Sequence, residues 1–146
     1  MTTWTKHLFF VFFLLLLTNA IPVNGQYTVS LQNIFGGAGD DRPNQLVQGD
    51  DHNHKGFGYS STVTSTSNGG YDFWTFELDD TLGLKWQTYY GSPNDDELRG
   101  GATFDGNWLL VGIVDTIGGT VSQHFGGKDA WFLMVDDNGE LSLIHI

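Results

Sequence analysis

The chain has 146 residues and no cysteine, and its 17 acidic against 6 basic side chains give a formal charge of −11. That length suits one domain of ordinary size. The missing cysteine excludes a disulfide framework, and the acidity argues against nucleic acid or an anionic membrane as a partner.

Residues 1–25 read as a secretory signal. Lys6 supplies the positive end, and Leu8 to Leu17 is an unbroken apolar run too short to span a bilayer. Thr18-Asn19-Ala20 and Val23-Asn24-Gly25 are both cleavage candidates; the second leaves Gln26 first. A retained membrane anchor is the alternative. Removing the signal removes Lys6 and no acid, so the mature charge is 5 − 17 = −12. An exported protein without disulfides relies on core packing or bound ions, and its surface suits solubility outside the cell.

Tyr27 to Ile34 alternates loosely and predicts a strand, which Gly36-Gly37-Ala38-Gly39-Asp40-Asp41 ends as a turn. A phosphate-cradling loop would need a following helix and a Lys with Ser or Thr. Arg42-Pro43-Asn44 supplies none of these. Gln45 to Ser67 is the least regular part. Phe57, Tyr59 and Thr62-Val63-Thr64 favour extended structure there, bounded by Asn68-Gly69-Gly70. His52 and His54 would share a face on a strand, either as a metal pair or as two exposed side chains beside a turn; no third ligand stands at a recognisable spacing.

Asp72 to Leu78 predicts a strand with Trp74, Phe76 and Leu78 on one face and Thr75 and Glu77 on the other. Asp79-Asp80-Thr81-Leu82-Gly83 follows as a hairpin turn, and Leu84 to Tyr90 as a strand with Trp86, Thr88 and Tyr90 together. After the loop Gly91 to Asp96, Glu97 to Phe104 is extended and Asp105-Gly106-Asn107 is a hairpin signal. Trp108 to Val114 is a continuous apolar run that suits a strand buried on both faces. Asp115 to Gly127 is a glycine-rich loop. Asp129 to Val135 is then a second tryptophan strand, with both sides expected to be covered, and Asp136-Asp137-Asn138-Gly139 a second hairpin turn. Neither turn has the ligand series of a calcium loop.

These segments repeat. Asp72, Trp74, Asp79 and Asp80 recur as Asp129, Trp131, Asp136 and Asp137 (131 − 74 = 57), and Leu31, Gln32, Phe35, Gly36, Asp40 and Asp41 as Trp86, Gln87, Tyr90, Gly91, Asp95 and Asp96 (86 − 31 = 55). Asp51 and Gly58 recur as Asp105 and Gly112 (112 − 58 = 54). The period defines units of about 27–83 and 84–140. The patterns Asp72 to Asp79, Trp86 to Glu97 and Asp105 to Gly112 resemble the tandem repeats of secreted bacterial β-propeller proteins, over Leu31 to Glu140. The resemblance implies an all-β fold of antiparallel four-stranded blades, here about two, an incomplete ring. Residues 141–146, Leu-Ser-Leu-Ile-His-Ile, read as a translated sequencing adapter rather than as part of the repeat.

The functional expectation is an exported, non-enzymatic repeat module, secreted or at the cell surface, whose loops meet a protein or glycan, with no catalytic, cofactor or metal residue assigned. A propeller polysaccharide hydrolase or lyase is the enzymatic alternative, with Asp40, Asp41, Asp95, Asp96 and Glu97 as candidate acid/base groups. Their recurrence at equivalent loop positions favours turn chemistry instead. A calcium-stabilised array is the third possibility that the charge suggests.

Overall fold

The computed structural model describes residues 31–49, 52–104 and 107–145. The expected signal lies outside them, as do residues 27–30 of the first expected strand and the turn residues Asp105 and Gly106. Among the described residues there is no helix. Eight strands follow one another: β1 (Asp41–Gln48), β2 (His54–Ser60), β3 (Asp72–Leu78), β4 (Leu84–Tyr90), β5 (Glu97–Phe104), β6 (Asn107–Val114), β7 (Asp129–Val135) and β8 (Leu141–His145). They form two antiparallel sheets in simple sequence order, β1-β2-β3-β4 (sheet 1) and β5-β6-β7-β8 (sheet 2).

Local chemistry explains the strands. Side chains alternate between faces with period 2, and in β3 this sends Phe73 and Thr75 one way and Trp74, Phe76 and Leu78 the other. Asp79 closes the β3–β4 turn, where Leu82 adopts φ 60° and Asp79 N–H donates to the Gly83 carbonyl at 2.8 Å. Asp136 and Glu140 close the β7–β8 turn in the same way at 2.9 Å. The residues joining β5 and β6 are not described, but those strands pair with Phe104 opposite Asn107.

Two strands differ from expectation. Leu31 to Ile34, the described part of the strand expected over Tyr27 to Ile34, is not a strand, and β1 begins instead at Asp41, where the sequence suggests only a turn. Its sequence DRPNQLVQ is polar and mostly exposed, and the register shifts between Pro43 and Gln45. That is edge-strand behaviour, since proline cannot donate to a ladder and is tolerated at an edge or bulge. Thr62 to Thr64, by contrast, lies in the loop after β2.

The sheets are also phased differently from the sequence units. β4 opens the second unit of the period, yet it pairs with β3 and closes sheet 1. A period fixes the length of a repeat and not where a sheet begins. In sheet 2 the corresponding edge is Leu141–His145, which pairs with β7; main-chain pairing asks only for an extended backbone and leaves the expected foreign origin of these residues untouched.

The main core lies between the sheets. Phe57, Phe73 and Tyr90 of sheet 1 pack with Leu98, Trp108, Leu110, Val114, Trp131, Leu133 and Val135 of sheet 2 and with Val121 of the β6–β7 loop. Phe73 meets Trp131 at a ring separation of 4.9 Å, and Phe57 meets Trp108 at 5.3 Å. A buried tryptophan removes about 200 Å² from water, on the order of 5 kcal/mol before entropy. A second cluster of Trp74, Phe76, Leu78 and Tyr89 lies on the other side of sheet 1, with Phe35 and Leu82 against it.

The orientation of the two tryptophan strands follows from these clusters. Trp74 points away from sheet 2, whereas its counterpart Trp131 points toward sheet 1. Equivalent faces therefore look the same way along the stack. A sandwich that buried equivalent faces against each other would have turned one of them round. β3 is buried at every position, but β7 is buried on one face only and Phe132 is 43% exposed. The expectation that both sides of β7 are covered therefore fails in this chain, because no third sheet lies on that side among the described residues.

Candidate functional site

Of the acids singled out from sequence, Asp41 and Glu97 begin β1 and β5 and the others lie in the loops before them; Asp41, Asp95 and Asp96 hold backbone N–H groups. Asp41 Oδ2 accepts the Gly37 N–H at 2.8 Å, and Asp96 Oδ2 accepts the Ser92 N–H, again four residues earlier. Asp72 Oδ2 accepts from Asn68 and Asp129 Oδ2 from Phe125, both at 2.7 Å and both four residues back. Asp79 Oδ1 accepts the N–H groups of Thr81 and Gly83, and Asp136 Oδ1 those of Asn138 and Glu140, at 2.7–2.9 Å. Each pair is related by the 55- or 57-residue offset of the sequence. These bonds hold Asp79 and Asp136 below the usual carboxylate range, through the Thr81 hydroxyl and the Glu140 N–H respectively.

The remaining candidates do not converge on one pocket. Asp40 accepts from the Tyr71 hydroxyl at 2.9 Å and from Arg42 at 3.1 Å, which lowers its pKa in that order of importance. Asp95 accepts the Tyr71 N–H at 3.0 Å. Glu97 pairs with Arg99 at 2.6 Å and faces Lys128 at 3.8 Å. His52 is exposed in the β1–β2 turn with φ 67°, while His54 starts β2, so they are not neighbours on one strand. Among the described residues no group of three His, Asp or Glu side chains is placed to hold a metal.

Two carboxylates do come together out of solvent. Asp72 and Asp96 are both 0% exposed, and a methyl group added at Gly91 would stand 2.0 Å from Asp72 Oδ1 and 2.7 Å from Asp96 Oδ2. Glycine is required where the backbone passes this close. Asp72 Oδ1 has no hydrogen-bond partner. Burial raises the Asp72 carboxyl to about 6, with the Asp96 charge adding to the rise; burial raises Asp96 as well. A solute cannot reach either oxygen, so this pair serves the junction between the sheets rather than a reaction.

The site that sequence reasoning missed is a cleft of about 660 Å³ at the opposite end of the sheets, where the β1–β2 and β7–β8 turns meet. Its floor is an ion pair between two side chains that are nearly out of water: Lys55 Nζ donates to Glu77 Oε2 at 2.6 Å, with the side chains 8% and 5% exposed. β2 and β3 place them directly opposite each other. Glu77 also accepts from Lys85, from Trp86 Nε1 at 3.1 Å and from Asn53 Nδ2 at 2.9 Å. Burial pushes its pKa up, but the hydrogen bonds of Lys55 and Lys85 outweigh this and hold it low. A carboxylate with four donors is fixed in its ionised form and cannot trade protons near neutral pH.

Lys55 ties the sheets together. It donates to the Asp137 carbonyl at 2.9 Å and faces the Asp137 carboxylate at 3.5 Å, while its ammonium stands over the rings of Trp86 at 5.1 Å and Trp108 at 5.4 Å. Trp108 Nε1 donates to Asp137 Oδ1 at 3.0 Å. The walls are thus aromatic and amide-bearing, with Asn138, Gln48 and the 73% exposed Asp137 at the rim. Such a lining can hold a polar ligand, with Asp137 as its exposed carboxylate. One signal was available: Lys55 is one of only six basic residues and sits two positions before Phe57 on an extended run.

No protein-family model matches the chain, and a search of curated proteins finds no relative. What the fold and site define is an all-β protein of two stacked four-stranded antiparallel sheets with a charged, tryptophan-walled cleft at one end.

Proposed function

We propose that the chain is an exported, non-enzymatic repeat module of the β-propeller type that binds a protein or glycan through its turns, with the Lys55–Trp108 cleft as the binding place. One observation carries this reading: the same carboxylate staples recur in both sheets at the sequence offset, and equivalent faces of the sheets look the same way. Propeller blades repeat in that manner, each sheet covering the next. Of the acids that a glycosidase would use, Asp41, Asp95 and Asp96 accept backbone N–H groups, Asp40 accepts from Tyr71 and Arg42, and Glu97 pairs with Arg99; the cleft's glutamate is locked by two ammonium groups. The cleft's amides and aromatic walls suit sugar hydroxyls or a polar peptide.

A glycan array probed with the secreted protein, run beside a sugar-release assay on the polysaccharides that score, tests the reading. Binding without release supports it, provided Gln48→Ala with Asn138→Ala weakens binding and leaves the melting temperature within a degree or so. Release of reducing sugar would move the chain to the enzymatic alternative. A calcium titration followed by thermal melting addresses the array reading, which requires a rise of several degrees at saturation.

A further inference from the structure

We infer that the cleft over Lys55 takes a short stretch of a neutral, hydroxyl-rich glycan, and that Asp137 is the residue that turns acidic sugars away. This deepens the proposed function, on which it rests, by naming the class of ligand. Both sheets bound the cleft, with Lys55 and Glu77 from sheet 1 facing Trp108 of β6 and Asp137 of the β7–β8 turn. It therefore belongs to the junction between them and not to an outer face.

The charged floor is not something that the repeat demands. At the offsets of the sequence period, Leu109 stands where Lys55 does (109 − 55 = 54) and Met134 where Glu77 does (134 − 77 = 57). A buried ion pair contributes little stability over hydrocarbon of similar size, and sheet 2 uses hydrocarbon. Sheet 1 keeps the pair where a cleft of about 660 Å³ opens, within the usual range of small-molecule sites, ~300–1,000 Å³.

Charge selects against ionic ligands. Lys55, Lys85, Glu77 and Asp137 are the charged side chains of the lining, and they cancel. Glu77 holds both ammonium groups, so an anion would have to draw one of them from a carboxylate that is only 5% exposed. The charge at the mouth is negative: Asp137 is 73% exposed and takes the Trp108 indole N–H on Oδ1 at 3.0 Å, which leaves Oδ2 as an acceptor. Anchored by a tryptophan that is itself 4% exposed, this carboxylate is a fixed acceptor that repels acidic sugars. A cation meets the opposite obstacle, the Lys55 ammonium 3.5 Å from the same carboxylate.

Apolar anchors find little to grip. The Lys55 ammonium lies over the rings of Trp86 and Trp108, and Gly139 presses on Trp86 so closely that a methyl group there would stand 2.8 Å from Cζ3. A peptide docked in a groove needs an apolar pocket for its anchor side chains, and these rings are already covered. What remains accessible is a set of hydrogen-bonding heads, the Asp137 carboxylate and the exposed amides of Gln48 and Asn138. Acceptors beside groups that both donate and accept match a row of hydroxyls, each of which does both.

An array of neutral oligosaccharides and their uronic or sulfated counterparts, read beside an array of defined peptides, tests this with the secreted protein at low and high salt. Neutral members should bind at least about tenfold more tightly than their acidic counterparts, and their binding should not change with salt, since no ion pair to the ligand is made. Asp137→Asn keeps a carbonyl oxygen for the Trp108 N–H and removes the charge; it should shrink the preference for neutral over acidic members at least about fivefold. Asn138→Ala, at an exposed turn position, should weaken neutral binding severalfold with an unaltered melt, which keeps the test valid if D137N is less stable. A wild type that prefers acidic members overturns the inference and leaves the binding module standing. So does binding to arrayed peptides, abolished by Gln48→Ala, with no glycan bound. Neutral binding that neither D137N nor N138A alters places the glycan elsewhere and overturns the inference, and a preference that D137N leaves intact overturns the role of Asp137. Failure to bind any glycan or peptide removes the inference and the proposed function together.

Discussion

Replacing Asp72 by asparagine should stabilise the protein above neutral pH, an uncommon outcome for a fully buried polar position. Asp72 sits at the start of β3 with Oδ2 held by the Asn68 N–H at 2.7 Å, Oδ1 without a partner, and Asp96 beside it. Burial lifts its pKa to about 6 from 3.8. A group raised in the folded state favours folding fully below its unfolded pKa, and that contribution is lost as pH rises through the folded value. Between about pH 4 and pH 8 the loss amounts to roughly two pK units, about 3 kcal/mol at most. The introduced amide side chain would keep a carbonyl oxygen for the Asn68 N–H, carry no charge, and turn its NH₂ group toward Asp96. Urea unfolding followed by tryptophan fluorescence at pH 4.5, 6 and 8 measures this. The unfolding free energy of D72N should exceed the wild type by about 1 kcal/mol at the lowest pH and by about 3 kcal/mol at the highest. The difference between the two proteins is the quantity to read, since every group other than residue 72 contributes alike to both. If D72N is no more stable than wild type at pH 8, the buried carboxylate is not strained and the reasoning fails.

Three further outcomes can be measured by the same unfolding experiment. Gly112→Ala places a methyl 2.4 Å from both Phe73 Cζ and the Glu97 carbonyl, so the sheets must part and stability should fall by about 1–3 kcal/mol or more. Trp131→Ala empties the centre of the inter-sheet core and should cost about 3–5 kcal/mol, whereas Phe132→Ala, one residue away on the open face, should cost well under half as much. Lys55→Met removes a buried partner of Glu77 and should cost about 3 kcal/mol, while the double change Lys55→Met with Glu77→Leu should recover most of that loss, because a broken buried pair is worse than none.

Much of this fold was legible because both signals it uses are short-range. Period-2 alternation places Trp74, Phe76 and Leu78 on one face without any knowledge of what lies above them. The hairpins at Asp79 and Asp136 announce themselves because turn residues act on their own backbone. β1 was hidden for the complementary reason. It is an edge strand, exposed and carrying Pro43, and its extended state comes from pairing with β2 rather than from its own side chains. The cleft was hidden too, since Lys55 and Glu77 are 22 positions apart. Their partners Trp86, Trp108 and Asp137 belong to three other segments, and no local pattern records that five segments end at one place.

The direction in which the two sheets stack is the feature that sequence spacing could not supply and on which the functional reading turns. Spacing alone admits two arrangements of Trp74 and Trp131. In one, equivalent faces meet, the pair of sheets is complete, and each outer face should be polar. In the other, equivalent faces look the same way, so that a two-sheet chain always leaves one inner-type face without a neighbour. Phe73 against Trp131 selects the second arrangement, and the exposure of Phe132 is its direct consequence rather than a local defect of packing. The replacement of the Lys55–Glu77 pair by Leu109 and Met134 on that face then acquires a meaning. A buried ion pair costs desolvation that only neighbouring donors such as Asn53, Lys85 and Trp86 offset, and sheet 1 supplies them around a cleft. Sheet 2 presents only hydrocarbon at the positions that correspond to that pair.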